Sequence, residues 1–108
     1  MQPYRFVFTV ECESEEALEE YIEVWRKGSE CIQREPGARG TRLHRINPTT
    51  VLAIAEWESL EARDAGIANA NKKYPENPPN EDFGTVTILG EGYQVAFVPP
   101  GQPVDQVE

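Results

Sequence analysis

Apolar and polar residues alternate from Tyr4 to Val10 (YRFVFTV), setting Tyr4, Phe6, Phe8 and Val10 on one face of a strand. The period then changes. Leu18, Tyr21, Ile22, Trp25 and Ile32 recur at helical spacing behind Ser14, an N-cap residue, with Glu15 and Glu16 where the helix dipole favours negative charge. This helix is predicted to reach about Arg34, with Gly28 and Ser29 loosening its last turns, before Glu35-Pro36-Gly37 stops it. Gly40 to Ile46 and Val51 to Trp57 read as two strands joined by the reversal Asn47-Pro48-Thr49-Thr50, a hairpin. Ser59 caps a second helix running to about Lys72, whose apolar stripe is thin (Leu60, Ile67) among Ala62, Ala65, Ala68 and Ala70. Tyr74 to Asp82 (YPENPPNED) holds three prolines and reads as a loop. Thr85 to Leu89 and Tyr93 to Val98 form a last strand, bent at Gly90-Glu91-Gly92.

This order predicts an α+β domain over residues 1–98, a ferredoxin-like βαββαβ antiparallel sheet with both helices on one face, followed by a Pro-rich acidic tail at 99–108. On the third strand Leu52 and Ile54 share one face, and Val51, Ala53, Ala55 and Trp57 share the other. Both faces are apolar, yet two helices cover only one. An uncovered apolar sheet face is a patch that soluble monomers rarely expose. A homodimer packed sheet to sheet is therefore expected.

At 108 residues the chain can bury one core. Its net charge of −9 repels phosphate backbones and anionic lipid, so neither nucleic acid nor a membrane surface is an expected partner. No apolar run approaches the ~20 residues of a membrane helix, and the start Met1-Gln2-Pro3-Tyr4 is unlike a signal peptide. A cytoplasmic location is expected. Cys12 and Cys31 fall at opposite ends of the first helix, roughly 25 Å apart at ~1.5 Å per residue, too far for a bridge. With one histidine they also fall short of a structural zinc site.

Glu35-Pro36-Gly37, the hairpin, and Glu56-Trp57-Glu58-Ser59 with Ala62 on the next helix occur in this order. The arrangement, roughly Tyr4 to Asn71, resembles the antibiotic biosynthesis monooxygenase family. There an E-P-G turn closes the first helix, and an E-x-W-like strand end followed by E-S opens the second. The resemblance implies a dimeric α/β barrel with a pocket in each subunit between sheet and helices. It also implies a cofactor-free monooxygenase acting on a small aromatic quinol or anthrone-like molecule. Such substrates, once deprotonated, pass an electron to oxygen themselves, leaving the protein to bind, orient and accept a proton in a dry cavity. The family's heme-degrading branch carries an iron-ligating His on the second helix and an Asn on the first strand. Ser59 to Lys72 contains no His, and Phe8 and Thr9 stand on the first strand, so no cofactor is expected.

Trp57 shares its strand face with Ala53 and Ala55, and two alanines beside a Trp leave space above the sheet, as a pocket floor would. The same Trp also fits a core position against Leu60 and Trp25. Imidazole titrates in the range that suits proton transfer near neutral pH. His44, the only histidine, is therefore the candidate base, with Arg42 on the same face to stabilise an enolate or phenolate. Both depend on which face of their strand meets the pocket. Asn71 and Tyr93 are candidate substrate contacts, and equally a helix-end polar residue and a core aromatic. An isomerase or cyclase using His44 on the same scaffold, and a non-catalytic dimeric binding or regulatory domain, are the competing functions.

Overall fold

The computed structural model describes residues 2–101, so most of the predicted tail, from residue 102 on, lies outside the described residues. The elements are β1 (Tyr4–Glu11), α1 (Glu15–Ile32), β2 (Ala38–Asn47), β3 (Thr50–Trp57), α2 (Leu60–Lys73), a short 3-10 turn (Asn80–Asp82) and β4 (Thr85–Tyr93). The four strands form one antiparallel sheet in the order β2-β3-β1-β4, the ferredoxin-like arrangement expected from the pattern.

Each helix starts where its cap residue allows. Ser14 accepts from the Ala17 backbone N–H at 3.1 Å, and Ser59 accepts from that of Ala62 at 3.0 Å, each filling one of the donors a helix start leaves open. α1 runs unbroken through Gly28 and Ser29, firmer than expected, because its apolar face packs along the sheet. The Glu35-Pro36-Gly37 turn has two steric requirements. Gly37 sits at φ 87°, open to glycine at no strain, and a Cβ there would stand 2.6 Å from Ala62 Cβ. The glycine therefore lets the start of α2 close onto the turn, where the Glu58 N–H donates to the Gly37 carbonyl at 2.8 Å.

Tyr4, Phe6, Phe8 and Val10 of β1 stand opposite Trp57, Ala55, Ala53 and Val51 of β3, and these pairs form the helix-facing side. Val10, Cys12, Leu18, Tyr21 and Val51 make the buried core at one end of that side, flanked by Phe8, Ile22, Trp25, Leu43, Phe83 and Val86. Burying a side chain such as Leu18 or Val51 contributes about 1.5–3 kcal/mol. Both cysteines are free, with Cys12 buried, and burial pushes its thiol pKa up.

The last strand departs from the sequence reading. Leu89 is the extra residue of a bulge, since Phe8 pairs with Ile88 and Val7 with Gly90. The strand then ends at Tyr93 and does not continue to Val98. Tyr93 pairs with Tyr4, the first residue of β1, and the Gln94 N–H makes a last bond to the Pro3 carbonyl at 2.9 Å. Past this bond the chain following β4 runs beyond the start of β1 and pairs with no strand. Among the described residues no helix is long and apolar enough to cross a membrane.

Candidate functional site

Away from the buried core, the space between sheet and helices opens into a cavity of about 620 Å³. The strands lay its floor with Phe6, Phe8, Thr41, Ala55 and Trp57. α1 supplies one wall through Val24, Trp25, Gly28, Ser29 and Ile32, and α2 the other through Arg63, Ile67, Ala70 and Asn71. Tyr74 and the proline-rich loop close it with Asn77, Pro78, Pro79, Asn80 and Glu81. Small residues create the void. Ala55 and Ala70 leave room, and nothing lies within 4 Å of where a Gly28 Cβ would stand. The volume falls within the ~300–1,000 Å³ typical of small-molecule sites.

Trp57 is buried under α2. A Cβ on Gly66 would meet two of its ring carbons at 2.6 Å, so α2 rests directly on the indole. Phe6 is covered by the Arg63 guanidinium, whose central carbon lies 4.1 Å from the ring centroid. The proline-rich loop is tied down at both ends. Tyr21 donates its hydroxyl to Asn80 Oδ1 at 3.0 Å while its ring packs on Phe83, and burial, foremost, pushes its pKa up. Arg34 donates to the Tyr74 hydroxyl oxygen at 3.1 Å, which raises the guanidinium pKa, and Lys73 donates to buried Glu35 at 2.9 Å.

The structure divides the residues singled out from the sequence. Trp57, Ala55 and Asn71 line the cavity together. Ala53 shares their strand face but is sealed in the core beside Val51, short of the cavity. Tyr93 packs edge-on against Tyr4, with centroids 5.0 Å apart, and its hydroxyl accepts from the Leu60 backbone N–H at 3.0 Å. It thus fastens the start of α2 to β4 and does not line the cavity. Its neighbour Tyr4 donates to Glu91, and that bond, foremost, pushes its pKa up to about 12.

His44 and Arg42 stand on the opposite face. His44 pairs with Leu52 and Arg42 with Ile54, whereas the cavity-side residues of β2 are Thr41 against Ala55 and Leu43 against Ala53. Strand parity decides this: a one-residue step reverses the face. The sheet itself separates His44 from the Trp57 cavity. The lining residues missed by sequence reasoning include Phe6, Phe8, Thr41, Arg63, Glu81 and the loop amides Asn77 and Asn80. Arg63 had a signal, since it lies four residues before Ile67 and eight before Asn71, on one helical stripe. Among the described residues no group of three His, Cys, Asp or Glu is placed to hold a metal ion.

An antiparallel four-stranded sheet backed by two helices defines a ferredoxin-like domain, here with a cavity between its two layers. The antibiotic biosynthesis monooxygenase model matches residues 3–65, more than half the chain, and the chain belongs to that family. Solved structures share the fold. A dimeric ferredoxin-like protein from an uncultured marine organism is 16% identical, over 91% of this chain and 100% of that one, at a TM-score of 0.69. A monooxygenase from the ActVA-Orf6 gene of Streptomyces coelicolor, in complex with the ligand nanaomycin D, is 18% identical, over 93% and 94% of the two chains, at 0.68. SnoaB, a cofactor-independent oxygenase from Streptomyces nogalater, is 16% identical, over 94% and 100%, at 0.67. Comparison with curated protein sequences gives no match.

Proposed function

We propose that this chain is a cofactor-independent oxygenase that oxidises a small aromatic quinol or anthrone-like molecule in the cavity above Trp57, working as a homodimer. The observation that carries the reading is the cavity itself: aromatic and aliphatic floor and walls, with a few polar groups at its rim. Phe6, Phe8, Ala55 and Trp57 offer flat apolar surface to fused rings. Asn71 and Tyr74 offer hydrogen-bonding groups to ring oxygens, and Glu81, the one carboxylate of the described lining, is the candidate proton acceptor. In the oxidation of an anthrone, loss of a proton gives an electron-rich anion that reduces dioxygen. The methylene carbon then loses its second hydrogen and gains one oxygen as a carbonyl, and the other oxygen leaves as water. The protein's part is to hold the anion in a water-poor site and to position it. The cofactor-independent oxygenase and the nanaomycin-bound monooxygenase that share this fold support the reading. The dimeric marine relative supports the homodimer, as does the uncovered sheet face.

The placement of His44 favours a second reading. An isomerase or cyclase that used His44 as base has no support here, and a cavity without an imidazole also suits a non-catalytic binding domain. Oxygen uptake separates the two. With dithranol and a panel of hydroquinones, and no added cofactor, wild-type protein is expected to consume oxygen well above the protein-free rate. Gly28→Leu, whose Cβ would have nothing within 4 Å and whose side chain would take up cavity space, should reduce that rate at least about tenfold with the far-UV spectrum unchanged. Uptake equal to the protein-free rate across the whole panel would leave the binding domain as the better account.

A further inference from the structure

We propose that Arg63 is the anion anchor of the cavity, so that the site selects aromatic molecules carrying a carboxylate. The inference rests on reading the cavity as the substrate pocket, and adds the chemical class that pocket accepts. Arg63 is the only basic residue in the described lining of a chain whose net charge is −9. An acidic ligand entering such a protein is repelled unless a local cation meets it. The guanidinium reaches the cavity lining with no strong ion pair of its own. Its central carbon stands 4.1 Å from the Phe6 ring centroid, a contact that steadies the side chain without cancelling its charge. Its ion pair is with neighbouring Asp64, at 3.4 Å, whose side chain is 65% exposed, a kind of pair that contributes little. Glu91 stands beside Phe6 on the same face, but its carboxylate is turned to the Tyr4 hydroxyl.

The position on α2 then sets the ligand's orientation. Arg63, Ile67, Ala70 and Asn71 form one stripe along the cavity wall, with the cation at one end and the amide at the other. Eight residues of helix place the two about 12 Å apart. A fused-ring molecule lying along that stripe would put its carboxylate against the guanidinium fork and its ring oxygens toward Asn71 and Tyr74. Arg63 is thereby a specificity-determining residue: the planar fork recognises a carboxylate through two parallel hydrogen bonds, and a neutral amide does not complete them.

Binding of anthraquinone-2-carboxylate and of its neutral isostere anthraquinone-2-carboxamide, followed by quenching of tryptophan fluorescence at neutral pH and fixed salt, tests this. Wild-type protein should bind the carboxylate at least about tenfold more tightly, the usual return on a charge-assisted pair in a partly desolvated site. Arg63→Gln should bring the two probes within about twofold by weakening the carboxylate alone, and Arg63→Lys should fall between. Equal affinities in the wild type, or a carboxylate preference that survives Arg63→Gln, would overturn the anchor while leaving the cavity a binding site. If neither probe binds the wild type, the pocket reading falls with it.

Discussion

A Cβ at residue 66 would stand 3.3 Å from Glu35 Cβ and 2.6 Å from two ring carbons of Trp57, the second a separation that side chains do not tolerate. Gly66→Ala must therefore push the indole toward the cavity or lift α2 from the sheet. Overpacking of this kind costs about 1–3 kcal/mol. The variant is expected to melt several degrees lower, to shift its tryptophan emission and to lose affinity for aromatic ligands. Unchanged melting and emission would mean that the ring has room to move. Trp57 was legible in the sequence as a residue on an alanine-rich strand face. Gly66 was not, because helical periodicity says which residues share a stripe but not how near a neighbouring ring comes.

The strands are braced across their uncovered face by Glu56 of β3, which accepts from Arg5 of β1 at 3.0 Å and from Arg39 of β2 at 3.1 Å. Burial opposes ionisation of Glu56, but the two guanidinium bonds outweigh it and hold its pKa below the ordinary carboxylate value. A group whose pKa is lowered on folding stabilises the fold above its unfolded value, about 4.3 for Glu, and that contribution is lost as pH falls through the folded value. Glu56→Gln should therefore cost stability at neutral pH, at most about 1 kcal/mol because both arginines are nearly half exposed. The gap between variant and wild type should close on acidification below the glutamate range. Thermal melts from neutral to acid pH read both effects, and a gap that stays constant would discount the charge as its source. Local sequence pattern located all four strands and divided β3 into its two faces. The end of β4 at Tyr93 could not be read from Tyr93–Val98, because a strand stops where its partner does, and β1 begins at Tyr4.

Val7, Leu52 and Ile54 form an apolar strip on the helix-free side of the sheet, with Arg42 and His44 exposed beside it. Past the last strand Val95, Phe97 and Val98 are 91%, 73% and 87% exposed. So much uncovered apolar surface is unusual on a soluble monomer. A second copy laid against the sheet would cover the strip and give the exposed segment a surface to rest on. Light scattering after size exclusion at micromolar concentration should return twice the chain mass of 12.2 kDa. Ile54→Asp, which leaves the helix-side core untouched, should shift the mass toward one chain, whereas a monomeric wild type would remove the dimer argument. In such a dimer His44 would lie between subunits.

Local information in the chain determined the order of elements, the two caps, the Glu35-Pro36-Gly37 stop and the strand face that Ala55 and Trp57 share. Each depends on spacing within one segment, which the sequence carries directly. The cavity-facing side of β2 was decided only when β2 paired with β3, since alternation names two faces without saying which one the helices cover. That pairing turned Thr41 inward and His44 outward. The same holds for Arg63 over Phe6, for Gly66 beneath the indole and for the loop held by Tyr21: each contact joins segments far apart in the chain, and only their packing brought them within reach.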